Sequence, residues 1–131
     1  MILDSGVVIA GAQGRIELTA LTDTDDVALP AIAVAEYRTG ILLDNDPGRV
    51  AAQHAFLEDM LAVLPICNYD RTVAEHHASL LSHVRRSGTR RGAHDLIIAA
   101  TARATARVVI TTDKRARFGE LPEVSARLIT D

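Results

Sequence analysis

The chain has 131 residues, of which 48% are hydrophobic and 24% are charged, with a formal net charge of −3. This length and balance are typical of one globular domain, and they exclude a disordered chain and an enzyme with separate cofactor and substrate lobes. Aromatic residues make up 3% and cysteine occurs once, which excludes an aromatic platform for base stacking, an internal disulfide and a cysteine-based zinc site.

Short β-like segments alternate with helical patterns, which predicts an α/β fold with a mainly parallel sheet. The first half begins with a strand at residues 2–3, a short helix over 7–11 and another over 18–21. An acidic loop at 23–26 precedes a strand at 27–29, which Pro30 stops. Residues 33–43 then form a helix.

The second half begins with Asp46 as an N-cap and Pro47 in the first helical position, followed by a long helix to about residue 63. A short strand is predicted at 64–67. Asp70 caps the next helix, and Gly88 ends it. Residues 95–105 are apolar or small on nearly every side, which predicts a buried helix. The β-branched run at 108–110 is the clearest strand, and residues 124–129 form the last one.

The long helix has two apolar stripes, one of Leu57, Leu61 and Leu64 and the other of Phe56, Met60 and Val63. One stripe can pack on the sheet, whereas the second needs another cover. A partner protein or the following helix of the same chain would supply it.

Three aspartates lie at the ends of predicted elements. Asp4 follows the first strand, Asp113 lies just beyond the strand at 108–110, and Asp95 begins the buried helix. Ligands of parallel α/β sheets bind outside the carboxyl ends of the strands, so Asp4 and Asp113 can meet there. A carboxylate at a helix N-terminus is electrostatically favoured, so Asp95 alone is also explained as a cap.

Glu36 shares a helix face with Ile32, Gly40 and Leu43. A carboxylate on a mostly apolar face is costly unless it is paired or binds a metal, although the edge of the stripe would leave it in water. If the four acids converge, they cannot all stay ionised without a cation. Oxygen ligands alone favour Mg²⁺ or Mn²⁺.

Four segments with these acids resemble the PIN-domain nucleases, and among them the VapC-type toxins of prokaryotic toxin–antitoxin pairs. They read ILDS at 2–5, AVAEYRTG at 33–40, GAHDLIIAATA at 92–102 and VITTD at 109–113. The resemblance covers the whole chain and implies one PIN-like domain, residues 1–131, with a three-layer α/β/α sandwich around a short, mainly parallel sheet. It also implies Mg²⁺-dependent cleavage of single-stranded RNA or of tRNA and rRNA loops, a VapB-like antitoxin and a homodimer.

The family pattern matches the four acids to its metal-binding cluster. We expect Asp4, Asp95 and Asp113 to hold the metal, directly or through water, and Glu36 to orient or deprotonate the attacking water. The residues expected to support them are Ser5, Thr112 and His94. Family members often have two polar residues after the first aspartate, where this chain has Ser5-Gly6, and asparagine where it has His94.

Basic residues flank two of the acids and are candidates for RNA contacts, since an acidic site repels RNA unless cations lie nearby. They are Arg85, Arg86, Arg90 and Arg91 before Asp95, and Lys114, Arg115 and Arg117 after Asp113. Arginine suits this role because its planar fork binds phosphate bidentately, although a solvated helix end and turn would have the same composition.

Two other readings fit the strand-end aspartate. An aspartyl-phosphate phosphotransfer domain is one, although the second aspartate that one such group needs is replaced by Gly6. A PIN scaffold that only binds protein is the other, and the complete set of acids weighs against it. The absence of a secretory pattern at the start and the single Cys67 lead us to expect a cytoplasmic protein.

Overall fold

The structure is a computed structural model that describes residues 1–22 and 26–130. In these ranges the helices are α1 (Ser5–Ala12), α2 (Leu18–Thr22), α3 (Ala31–Leu43), α4 (Pro47–Val63), α5 (Arg71–Ser87) and α6 (Ala93–Ala104). The strands are β1 (Ile2–Leu3), β2 (Leu29–Pro30), β3 (Ile66–Cys67), β4 (Val109–Thr111) and β5 (Ala126–Leu128), and 3-10 turns occupy Lys114–Ala116 and Phe118–Glu120.

The predicted order of elements is confirmed, with shifts at their ends. The first helix begins at Ser5 rather than residue 7, because the Asp4 side chain accepts a hydrogen bond from the Ser5 amide and caps it. Pro30 does not stop the second strand but forms its last residue, opposite Cys67. Residues 23–25 of the predicted acidic loop lie outside the described residues.

Every strand pairing is parallel among the described residues. β1 pairs with β4, β4 with β5, and β2 with β3, while a single bridge from Ile2 to Ala28 joins the two groups. The resulting order is β3-β2-β1-β4-β5. Because the strands are parallel, their carboxyl ends lie at one edge, where Asp4 and Asp113 follow β1 and β4.

The sheet separates two apolar cores, and the strands contribute to both by alternation. Ile2 and Val109 pack into a core with α5 and α6, whereas Leu3 and Ile110 pack into one with α1, α3 and α4. This arrangement is the predicted three-layer α/β/α sandwich.

The buried face of α4 differs from the prediction of two separate stripes. Leu57, Met60 and Leu64 are 1%, 6% and 7% exposed and form one buried stripe at i, i+3 and i+7. Leu57 and Leu64 belong to the first predicted stripe and Met60 to the second. Phe56 and Leu61 are partly buried beside it. Val63 is left 72% exposed, so little of a second stripe remains to be covered.

Helix α6 is buried as predicted, from Leu96 through Ala102 on most of its positions. The packing of this helix fixes the position of Asp95, which lies partly exposed in its first turn. Among the described residues, no helix combines the length and the apolar character that crossing a bilayer requires.

Candidate functional site

Asp4 is held at the carboxyl end of β1 and is only 6% exposed. Its Oδ1 accepts a hydrogen bond of 2.8 Å from the backbone amide of Ser5, and its Oδ2 accepts one of 2.8 Å from the Thr111 hydroxyl. Its own amide donates to the Ile110 carbonyl at 3.0 Å, which ties it to β4. The carboxylate therefore has a fixed position, and Ser5 supports it through its amide.

Thr111 connects two of the acids through one hydroxyl. Besides donating to Asp4, its Oγ1 accepts a hydrogen bond of 2.9 Å from the Asp113 amide. We expected Thr112 to make such a contact, and the structure gives it to Thr111 instead. The β1–β4 register pairs Leu3 with Ile110, so Thr111 lies opposite Asp4, and only the register identifies it.

Thr112 limits the residue that can follow Ser5. A Cβ at position 6 would lie 3.1 Å from the Thr112 Oγ1, closer than most real Cβ contacts. Gly6 therefore makes room for the Thr112 hydroxyl.

Asp95 lies in the first turn of α6 but does not begin it, since the helix begins at Ala93 with Gly92 as its N-cap. Burial is the largest cause, and the charges of Asp4, Asp113 and Glu36 the next, of a rise in the pKa of Asp95 to about 6, which the charge of His94 opposes. The charges of three other acids thus act on Asp95, and we call these four electrostatically coupled residues the acidic cluster.

The pKa of Asp4 is raised as well. Burial is the largest cause, the hydrogen bonds from Thr111 and Ser5 oppose it, and the charges of Glu36 and Asp113 add to it. The surroundings of Asp4 and Asp95 thus favour the neutral form of each acid. A cation bound between them would stabilise their ionised forms.

Glu36 does not lie on the buried face of α3, contrary to the prediction. That face consists of Ala33, Tyr37 and Ile41, whereas Leu43 is 75% exposed. The Glu36 side chain is at the border, 28% exposed, with Oε2 lying 3.4 Å from His94 Nδ1. The predicted pairing of His94 with the acidic site is thus a contact to Glu36 across α3 and α6.

Arg91 is committed to the protein rather than to solvent. Its guanidinium Nη1 donates to the Ala116 carbonyl at 2.6 Å and to the Arg117 carbonyl at 2.7 Å. Arg117 itself adopts a left-handed conformation, with φ of 48°, and lies 3.7 Å from Glu120. Arg91 therefore connects the N-terminal end of α6 to the turn after Asp113. Its role as an RNA contact stays a prediction, although one of its guanidinium nitrogens is already bound within the protein.

The remaining basic candidates are exposed: Arg85, Arg86, Arg90, Lys114 and Arg115. Lys114 and Arg115 begin the 3-10 turn that Asp113 caps by accepting a hydrogen bond from the Arg115 amide at 2.8 Å. Positive side chains thus lie directly beside one edge of the acidic cluster.

In the described ranges, no group of three or more His, Cys, Asp or Glu side chains is arranged to hold a metal ion by itself. The chemistry of the cluster nevertheless fits a hard cation, because its donors are carboxylate oxygens that repel one another. Mg²⁺ usually keeps several of its waters and takes one or two carboxylates, so a site that is completed by water suits it.

Comparison with known proteins finds the same relationship along nearly the whole chain. The family model described as PIN domain matches residues 1–123. Ribonuclease VapC5 of Mycobacterium tuberculosis is 36% identical over 114 residues, which are 86% of this chain and 82% of that protein.

Solved structures agree in fold. VapBC-5 of the VapBC family of toxin–antitoxin systems, from Mycobacterium tuberculosis, has a TM-score of 0.77 at 29% identity, over 99% of this chain and 97% of that one. VapBC2 from Rickettsia felis, bound to a promoter DNA fragment, has a TM-score of 0.85 at 18% identity, over 97% and 96%. The second likeness concerns the fold alone.

Proposed function

The chain belongs to the PIN domain family, and from this premise we propose that it is the ribonuclease toxin of a VapBC-type toxin–antitoxin pair. Its curated relative is named a ribonuclease, and a solved relative is a toxin–antitoxin complex. The observation that supports the proposal is the electrostatic coupling of Asp95 to Asp4, Asp113 and Glu36, whose charges all raise its pKa. A PIN domain leaves no place for the phosphotransfer alternative.

In the proposed site, Asp4, Asp95 and Asp113 would hold Mg²⁺, or Mn²⁺ in its place, directly or through water. When bound, the ion shields the phosphate and lowers the pKa of a coordinated water. Glu36 Oε2, next to His94, orients the attacking water and takes its proton. Thr111 and the Ser5 amide keep the Asp4 carboxylate in one orientation, and Arg91 keeps the turn after Asp113 in place.

The proposed substrate is single-stranded RNA, or an exposed loop of tRNA or rRNA. An overall charge of −3 makes general binding to RNA unfavourable, so the strand has to be held by local positive charge. The candidates are the exposed side chains of Arg85, Arg86, Arg90, Lys114 and Arg115. Such contacts position the backbone without reading its sequence.

We expect Lys114→Ala with Arg115→Ala to flatten the salt dependence of RNA binding. Each lost phosphate contact lowers the slope of log K against log salt concentration by about 0.7 for single strands, so the double variant loses roughly 1.4. Binding is measured by fluorescence anisotropy with a labelled RNA in the absence of divalent metal. The matched control, Arg71→Ala with Arg127→Ala, removes two exposed charges outside both basic clusters. An unchanged slope in the folded double variant would contradict this contact.

The proposed partner is a VapB-like antitoxin that blocks the site. A basic side chain placed among the four acids would neutralise them and exclude the metal at once. Exposed apolar side chains support contacts with protein, since Leu42 and Leu43 at the end of α3 are 78% and 75% exposed. A homodimer in the cytoplasm, where RNA is present and Cys67 stays reduced, completes the proposal.

The test of this function is cleavage of tRNA and of unstructured RNA by the purified protein with Mg²⁺, with Mn²⁺ and with EDTA. We expect cleavage with either metal, loss of cleavage in EDTA, and inhibition by the product of a neighbouring gene that co-purifies with it. Light scattering on the same samples gives the oligomeric state. Cleavage that is undiminished in EDTA would refute the metal-dependent site, and a stable complex with full activity would refute the antitoxin.

A further inference from the structure

A cavity of about 300 Å³ opens beside the acidic cluster, between α1, α3 and α4. Its apolar walls include Ile9, Tyr37 and Ile41. The hydroxyl of Tyr37 donates to the Gln53 carbonyl at 3.3 Å, which joins α3 to α4 at the base of this space. Glu36 belongs both to the lining of the cavity and to the cluster of four acids, so the cavity adjoins the proposed site of cleavage.

Two of the residues that line the cavity each carry a buried side-chain acceptor that has no donor. Glu36 Oε1 and Gln53 Oε1 are the side-chain oxygens, within the part of the chain that the structure describes, that are buried and accept no hydrogen bond. The Gln53 amide is oriented by Asp44, because its Nε2 donates to the Asp44 carboxylate at 3.4 Å and a carboxylate only accepts. The atom left unpaired is therefore the oxygen.

Unpaired buried acceptors are costly, and a ligand that brings N–H donors removes the cost. Because each oxygen is buried where it stands, binding requires a rotation about the terminal torsion of Glu36 and of Gln53, and such torsions are broad. Arg49 also lines the cavity and is held there by Asp44, to which it donates at 2.8 and 2.9 Å. The lining thus offers two acceptors, one cation and apolar walls for a flat ring.

We infer that this cavity is a guanine-binding subsite, which rests on the proposed ribonuclease function and gives it a base preference. The Watson–Crick edge of guanine carries a ring N–H and an amino group side by side, with a carbonyl oxygen next to them. The two donors match Glu36 and Gln53, and the oxygen matches Arg49. On the same edge, adenine and cytosine have a ring-nitrogen acceptor beside the amino group, and uracil has one N–H between two carbonyls. Each of these bases therefore places an acceptor where guanine has its second donor.

The position of Glu36 makes the bound base that of a nucleotide next to the scissile phosphate. Recognition by base edges is how proteins read unstacked RNA. The guanidinium of an arginine from a partner protein also carries paired donors, so the second experiment below compares arginine amide with a nucleotide.

The first experiment uses oligouridylates that carry one guanosine, inosine or adenosine, cleaved by the full chain with Mg²⁺. We expect kcat/KM for cleavage next to guanosine to exceed that next to adenosine by at least about tenfold, the effect of one or two hydrogen bonds. Inosine lacks the amino group and should lie between them. Equal cleavage next to all three would overturn the inference and leave the ribonuclease proposal standing.

The variants separate recognition from shape. Gln53→Met keeps a side chain of similar size without the acceptor, so the ratio between guanosine and adenosine should fall close to one. The matched control is Gln13→Met, because Gln13 lines the same cavity while its Oε1 already accepts from Arg15 at 2.9 Å. The control should keep the ratio. A Gln53→Met protein with the full preference would refute the assigned acceptor.

The second experiment needs no metal and no cleavage. GMP, AMP and arginine amide are titrated in turn while the side-chain amide signals of Gln53 are followed by NMR. A larger shift and tighter binding for GMP support the subsite, even if no RNA is cut with either metal, in which case the proposed function alone fails. Shifts caused by arginine amide and not by GMP would overturn it in favour of a protein ligand.

Discussion

Asp4→Asn is expected to reduce metal-dependent RNA cleavage by more than about a hundredfold while the protein stays folded. Asp4 is the most buried of the four acids, and two hydrogen bonds fix its carboxylate. The neutral amide cannot supply the negative oxygen that a divalent ion needs. Loss of the supports around a metal ligand already costs about 10- to 100-fold, so removal of the ligand's charge should cost more.

The fold should tolerate this change. Burial is the main cause of the raised pKa of Asp4, so a neutral side chain is easier to bury there than the carboxylate. The asparagine oxygen still accepts from the Ser5 amide, and the Thr111 hydroxyl can turn to accept from the new NH₂ group.

Cleavage rates of the variant and the native protein are compared with Mg²⁺, alongside thermal unfolding to show that both are folded. Asp59→Asn on the exposed side of α4 serves as the matched control, because it removes the same charge away from the cluster. Cleavage by Asp4→Asn within tenfold of the native rate would show that Asp4 does not hold the ion.

The sequence was sufficient for the features that depend on neighbouring residues. The β-branched run before Thr111 defines a strand, and Asp46-Pro47 and Asp70 begin helices that the structure contains. Since an α/β topology brings the carboxyl ends of parallel strands to one edge, the convergence of Asp4 and Asp113 followed from their places in the chain.

Features that depend on register and on the path of a loop were out of reach. Thr111 and Thr112 are adjacent and chemically identical, and only the pairing of β1 with β4 decides which of them meets Asp4. Arg91 stands in a basic run that reads as an RNA contact, yet the turn at 116–117 brings two carbonyls to it. Glu36 was placed on an apolar face because a helical pattern does not reveal which arc the neighbouring helices cover.

Asp95→Asn is expected to stabilise the metal-free protein near neutral pH. The pKa of Asp95 is about 6 in the folded protein, above its ordinary value of 3.8. Above pH 6 the residue is ionised in both states, and the folded state alone bears its burial and its repulsion from the other acids. A change of about 1 kcal/mol shifts the Tm of a domain of this size by roughly 3–6 °C, so the variant should melt several degrees higher.

The same shift fixes the sign of the pH dependence. As the pH falls from 7 towards 4, the folded state takes up the Asp95 proton before the unfolded state does, so the native metal-free protein gains stability across this window. Other groups act in the opposite direction, such as Asp44, whose pKa the Arg49 guanidinium lowers. The difference in Tm between native protein and Asp95→Asn cancels these, and it should shrink as the pH is lowered through 6.

Bound Mg²⁺ or Mn²⁺ should relieve the repulsion among the four acids, as protonation of Asp95 does. Because a cation that binds only the folded state stabilises it, either metal should raise the Tm of the native protein near neutral pH and do little at about pH 5, where Asp95 is protonated. The Tm of the metal-free protein is measured in buffer with EDTA, and every Tm is measured by differential scanning calorimetry over a range of pH. A difference in Tm between native protein and variant that stays constant with pH would mean that Asp95 does not bear the charge of its three neighbours. If the prediction holds, Asp95 contributes to metal binding and at the same time lowers the stability of the metal-free protein. Such a loss of stability is expected of a functional site built from like charges.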